Sequence, residues 1–147
     1  MIKLYTIGFT SKSAEKFFNL LRNAGVTKII DTRINNVSQL AGFAKGSDLK
    51  FFAKEIGNMS YEHNIDFAPT KELLSRYRDK KMTWLEYETE YLNLLDMRKV
   101  AQKIETEKLH KHCLLCSEHT PEKCDRRLLA EYLKHIKGNI EIIHLIE

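Results

Sequence analysis

The sequence is poor in cysteine, proline and glycine, and it has no long apolar run. Cys113, Cys116 and Cys124 are its three cysteines in 147 residues. An odd count in a chain of this kind argues for a reducing, cytoplasmic setting and against a disulfide framework. Two prolines and six glycines leave no linker-like stretch, and there is neither a repeat nor a low-complexity segment. One domain over residues 1–147 is therefore expected. No stretch approaches the roughly 18 apolar residues that span a bilayer. The opening MIKLYTIGFT lacks the basic and apolar regions of a secretory signal, so neither membrane insertion nor export is expected. The charge excess is small, a formal +4, which permits phosphate-bearing partners without requiring them.

What is present is an alternation of strand and helix. Residues 3–9 (KLYTIGF) read as a strand. Ala14, Phe17, Phe18 and Leu21 then recur on one helical face, with Ser11 or Ser13 as N-cap and Gly25 as stop. Residues 26–34 (VTKIIDTRI) form a second strand, and the intervening helix is long enough for a parallel crossover. A helix over 47–56, a short strand over 61–67 and a short helix over 71–78 follow. Residues 83–108 are strongly helical, with Trp84, Tyr87, Tyr91, Leu94 and Leu95 at helical spacing, in one helix or two. A buried strand over 110–117 leads to a helix over 121–136, with Thr120 as N-cap and Pro121 at the first position. Gly138 ends it, and 140–146 make a last strand. The pattern predicts an α/β fold of three layers, a mainly parallel sheet flanked by helices.

All three cysteines fall in one segment, HCLLCSEHTPEKCDRR, residues 112–127. On a strand, Cys113 and Cys116 face opposite sides, so they neither share a metal ion nor bond to each other. A redox C-x-x-C sits at a helix start, which this pair does not. A phosphatase-type cradle needs arginine six positions after its cysteine, and His119, Glu122 and Ala130 stand there instead. A structural zinc site needs four convergent ligands, and His110, His112 and His119 match no standard spacing. No metal or other cofactor is expected, and a metal-binding protein is the third-ranked reading.

Cys113 reads as core. Cys116 closes a buried strand, Glu118 and His119 lie in the turn, and Cys124, Arg126 and Arg127 open the next helix. Open α/β sheets bind ligands outside the carboxyl ends of their strands. A helix N-terminus adds unpaired N–H groups and partial positive charge there, and Arg126 adds a planar cation. The arrangement suits an anionic or carbonyl-bearing ligand, with Cys116 as nucleophile and Glu118 as acid or base. Cys124 also falls on the apolar stripe of its helix, and Arg126 and Arg127 do not both face the core. Asp31 and Arg33, two apart, share a face at the end of the second strand, either binding a ligand or fixing the following loop. Gly8 and Thr10 end the first strand, where glycine permits close backbone approach. In a parallel sheet all three ends gather on one edge. The basic stretch 76–81 around Tyr77 suits either a solvated helix end or a nucleic-acid backbone.

These residues resemble the DUF488 family of bacterial and archaeal proteins, which has no assigned function, over nearly the whole chain. Thr6-Ile7-Gly8 resembles the family's T-I-G-H-[ST]. Asp31-Thr32-Arg33 with Ser38 resembles D-V-R-x-x-P-x-S. Tyr61-Glu62-His63 resembles its mid-chain tyrosine segment, and 84–95 its W-x-x-[FY] helix. Leu115-Cys116-Ser117-Glu118, then Cys124-Asp125-Arg126-Arg127, resembles L-C-[AS]-E…C-H-R-R, the most specific part. Phe9 and Asp125 stand where the family has histidine, and Asn36 where it has proline. The resemblance implies a fold and a site but no reaction.

The expectation is a cytoplasmic enzyme with Asp31, Arg33, Cys116, Glu118 and Arg126 as catalytic candidates. Gly8, Thr10, Ser38, Tyr61, His63, Cys124 and Arg127 are the candidates for substrate binding. Its partner would be a small polar or phosphorylated ligand, with a nucleotide or nucleic acid among the options and no membrane. The alternative is a non-catalytic module that binds an anion or nucleic acid.

Overall fold

Buried residues run without a break from Leu4 to Gly8 in the first strand, as they do in strands covered on both faces. Leu4 packs into one core, while Tyr5 and Ile7 pack into a second on the opposite face. The computed structural model describes residues 1–37 and 42–146. Among them five strands, β1 (Ile2–Gly8), β2 (Lys28–Asp31), β3 (Ser60–His63), β4 (His112–Cys116) and β5 (Ile140–Leu145), form one sheet in the order β3-β2-β4-β1-β5. Every pairing is parallel.

Helices α1 (Ala14–Ala24) and α2 (Gly46–Gly57) cover one face. Their Phe17, Phe18, Leu21, Leu49 and Ala53 meet Ile29, Cys113 and Leu115 of the sheet. Helices α3 (Lys71–Arg78), α4 (Trp84–Met97), α5 (Val100–Lys103) and α6 (Asp125–Lys137) follow in the chain. They cover the other face, where Leu73, Tyr87, Tyr91, Val100, Leu128 and Leu133 meet Leu4, Ile30, Leu114 and Ile140. This division follows from chain direction. From β1 to β3 the chain crosses the sheet one way, and from β3 to β5 it crosses back, so crossovers of one hand deposit their helices on opposite faces. The exit of β4 therefore diverges from those of its neighbours β1 and β2. Such a divergence at the carboxyl edge is where open sheets take ligands. No helix of the described residues is long and apolar enough to cross a membrane.

The helix ends have local causes. Ser13 Oγ accepts from Lys16 N–H, and Gly25 closes α1 in the left-handed region at φ 80°. Thr83 and Glu86 form a reciprocal capping box at the start of α4. Lys99, at φ 57°, separates α4 from α5, so the helical stretch expected over 83–108 is two helices and a 3-10 turn at Thr106–Leu109. The second strand stops at Asp31, and β3 gives way to a 3-10 turn at Ile65–Phe67.

The largest correction concerns α6. Its N-cap is Cys124, not Thr120, and its first residue is Asp125, not Pro121. The preceding carbonyls are already engaged. Arg126 takes those of Glu118 and His119, and Arg127 takes those of Pro121 and Glu122. Two guanidinium groups thus hold residues 117–123 as a loop against the capping preference of Thr-Pro.

Candidate functional site

Gly8 on β1 lies in register with Cys116 on β4. A methyl group on Gly8 would overlap the Glu118 carbonyl and reach within 2.9 Å of Arg126 Nη1. Glycine is what allows the 117–124 loop to fold down onto the strand end. The loop is tied to the β1 exit at two further points. Thr10 N–H donates to the Ser117 carbonyl at 3.1 Å. His119 Nδ1 lies 3.1 Å from the Thr10 carbonyl and 3.4 Å from Nζ of the buried Lys12.

Arg126, in the first turn of α6, is fully buried. Its Nη1 donates to the Glu118 carbonyl at 2.7 Å, its Nη2 to the His119 carbonyl at 3.3 Å, and its Nε to Thr6 Oγ1 at 3.3 Å. Thr6 Oγ1 is in turn 2.6 Å from His144 Nδ1. The same Nη1 stands 3.2 Å from Cys124 Sγ and 3.9 Å from Cys116 Sγ. None of the ion pairs among the described residues includes Arg126. Burial pulls its pKa down to about 10, because desolvation penalises a charge that carbonyls and sulfurs offset only in part.

Cys116 and Cys124 are joined by a disulfide, which corrects the expectation of separate thiols. The strand argument holds for Cys113 and Cys116. Cys113 points into the α1–α2 core as a free thiol whose pKa burial pushes up. Cys124 lies beyond the strand, and the loop returns it to the face that Cys116 occupies.

Asp125 caps the same corner. Tyr87 O–H donates to its Oδ1 at 2.5 Å. Burial pushes the carboxyl up to about 6, with the hydrogen bond from Tyr87 opposing and the Glu118 charge adding. Tyr87 is itself stacked between Trp84 and Tyr91, with Tyr77 tilted against it. Glu118 is exposed, so its carboxylate is at the mouth of the site while its carbonyl is locked beneath.

Asp31 and Arg33 make a second cluster. Arg33 Nε and Nη2 grip the two Asp31 carboxylate oxygens at 2.9 and 2.7 Å, and Nη2 also donates to the Ala44 carbonyl. Tyr61 O–H donates to Asp31 Oδ2 at 2.6 Å, and Asn36 Nδ2 donates to the Tyr61 oxygen. His63 Nε2 reaches the Arg33 carbonyl at 2.6 Å. Phe9 lies with its ring 5.0 Å from the Arg33 guanidinium carbon. Arg33 Nη1 is buried and has no hydrogen-bond partner among the described residues. Phe9, Asn36 and Asp125, which depart from the family pattern, therefore each make a definite contact.

The predicted residues thus share one edge but divide between two faces. Asp31 alternates with Ile29, on the α1–α2 side. Thr6 alternates with Leu4, on the α6 side, and carries the Arg126 group with it. The structure brings Cys116, Cys124, Arg126, Gly8, Thr10 and the Glu118 backbone together. It gathers Asp31, Arg33, Tyr61 and His63 separately, beyond the β2 end, where Thr32 Oγ1 donates to the Leu115 carbonyl. Arg127 braces the loop and pairs with Glu131 and Glu88. Ser38 lies outside the described residues.

Lys12 and His144 were not singled out from sequence, and Thr6 and Asp125 entered only through the motifs of the resemblance, not as site candidates. A signal existed for Thr6 and His144, each the polar residue that ends an alternating apolar series, Leu4–Thr6 and Ile140–Ile142–His144. Of the basic stretch, Arg76 is paired with Glu90 at 2.7 Å, and Tyr77 packs edge-on against Trp84. Arg78, Lys80 and Lys81 remain exposed. Two open grooves of about 410 and 300 Å³ lie beside Lys50, Lys54, Ser60 and Tyr61 and between α3 and α4. Among the described residues no cluster of three His, Cys, Asp or Glu side chains suits a metal ion.

The pattern of a family described as "Domain of unknown function DUF488" matches residues 13–133. No curated protein and no solved structure matches the chain.

Proposed function

Because the chain belongs to the DUF488 family, whose description assigns no activity, we propose a function from the site itself. The protein is a thiol-dependent enzyme acting on a polar or phosphate-bearing substrate, a nucleotide or nucleic acid included, at the carboxyl edge of its sheet. One observation carries this reading: two cysteine sulfurs lie against a buried guanidinium that belongs to none of the ion pairs among the described residues, at the N-terminus of a 13-residue helix. When the pair is reduced, a thiolate there offsets the Arg126 charge and gains from the helix dipole. The same fields favour an anionic substrate, and Lys12 with the N-terminus of α1 adds to them from the β1 side. Asp125, titrating at about 6, is suited to move a proton near neutral pH, and Glu118 is a second carboxyl at the mouth. Asp31 and Arg33 act as the frame that fixes the β2 exit.

The test is alkylation of the reduced protein by iodoacetamide across pH, mapped by peptide. One of Cys116 and Cys124 should react with an apparent pKa at least a unit below the usual value of about 8.5, and inorganic phosphate or a nucleoside monophosphate should slow it. Ordinary pKa values without protection would defeat the reading. Protection without a fast thiol would assign a non-catalytic anion-binding module instead.

A further inference from the structure

The same pair of sulfurs supports a second activity. We infer that Cys116 and Cys124 are a reversible dithiol–disulfide couple that exchanges with small thiols and dithiols, with Cys116 attacked and Cys124 leaving. The inference rests on the reading of these two residues as the reactive groups, and it adds how they are masked and released.

The asymmetry between the two sulfurs carries the argument. Thiol–disulfide exchange is fastest when the expelled sulfur is the more stable thiolate, and it requires access to the attacked one. Cys116 keeps 7% of its surface and Cys124 only 2%. Cys124 is the nearer to Arg126 Nη1, at 3.2 Å against 3.9 Å. It is also the N-cap residue of α6, where the dipole favours negative charge. Access and leaving-group stability therefore favour the same direction. Beyond its bonds to the loop carbonyls, the Arg126 guanidinium belongs to none of the ion pairs among the described residues, so its charge is open to a thiolate on the sulfur it faces. Cys113, buried on the other face, takes no part.

The steps balance as follows. A thiolate of the reductant attacks Cys116 Sγ. A new S–S bond forms, the Cys116–Cys124 bond breaks, and its electron pair leaves on Cys124 beside Arg126. In a dithiol reductant the second thiol, once deprotonated, attacks its own sulfur in the mixed disulfide. It closes an intramolecular disulfide and expels Cys116 as thiolate, which takes up a proton. Two electrons pass from the dithiol to the protein. The reverse sequence, with an oxidised dithiol, restores the bond.

The experiment uses the whole oxidised chain in its folded state. Thiol counting after denaturation should find one free thiol, Cys113. Brief treatment with a small monothiol, quenched with acid, should trap the adduct on Cys116 and leave Cys124 free. Dithiothreitol should release both without unfolding, and its oxidised form should restore the bond. Arg126→Lys should slow reduction on the order of tenfold by loosening the hold on the leaving thiolate, while trapping on the wild-type chain needs no variant to fold. Adducts on Cys124, three free thiols after oxidation, or a bond that yields only on denaturation would each overturn the proposal. Failure here leaves the alkylation and phosphate results on the reduced protein intact, so the two readings fall separately.

Discussion

Arg126 takes a positive charge into the interior, where its hydrogen-bond partners are two carbonyls, a hydroxyl and two sulfurs. That residue converts a surface loop into a rigid corner and sets the electrostatics of everything nearby. Asp125 beside it shows the opposite pressure. Its carboxyl titrates at about 6 in the folded chain against an ordinary 3.8, mainly through burial. The folded state therefore holds a proton that the unfolded state has released. The stability this contributes is complete below about pH 4 and is lost as the pH rises through about 6. Asp125→Asn still accepts from Tyr87 but never ionises. It should flatten the pH dependence in that window and raise stability at neutral pH by about 1–2 kcal/mol, measured by urea denaturation at several pH values. At this scale the gathering of Cys116, Glu118 and Arg126 at one strand end was legible because their residue types and position coincide. The burial of Lys12 and the raised carboxyl of Asp125 were not, since nothing local distinguishes them from solvated groups.

Among the elements, the 117–124 loop decides most. The rules for helix starts favour Thr120 and Pro121, and they are right about local preference. The tertiary hydrogen bonds from Arg126 and Arg127 outweigh it, because several charge-assisted bonds to otherwise orphaned carbonyls exceed the roughly 1 kcal/mol of a good cap. Delaying the helix by four residues is what puts Cys124 at the N-cap, against Cys116. Gly8 is the counterpart on β1. Gly8→Ala should drive the Glu118 carbonyl off the strand end at a cost of about 2–3 kcal/mol. It should also weaken closure of the disulfide, seen as a higher free-thiol count after air oxidation. An alanine variant as stable and as fully oxidised as the parent would contradict the close approach.

Across the whole molecule, the sheet order is what divides the site. Reversing the direction of travel after β3 sends α6 to the face opposite α1 and α2, so the ends of β2 and β4 present their polar side chains to different layers. Among the described residues the two clusters share an edge but no hydrogen-bond partner. Substitutions in them should therefore add. Tyr61→Phe removes one hydrogen bond to Asp31 and should cost about 1 kcal/mol. Combined with Asp125→Asn, the sum should hold within about 0.5 kcal/mol in chemical denaturation. A coupling well above that would mean the clusters communicate through β4.

Periodicity, caps and strand-end chemistry in the sequence determined the α/β class, the parallel sheet, the edge at which polar residues collect and the burial of Cys113. These follow from local spacing, where a period of two or of 3.6 residues fixes which side chains face inward. Only the tertiary structure decided that Cys124 meets Cys116, that α6 starts late, and that Asp31 and Arg33 stand across the sheet from Arg126. Each of those depends on contacts between segments far apart in the chain and on which way the chain turns after a strand, and no local spacing encodes either.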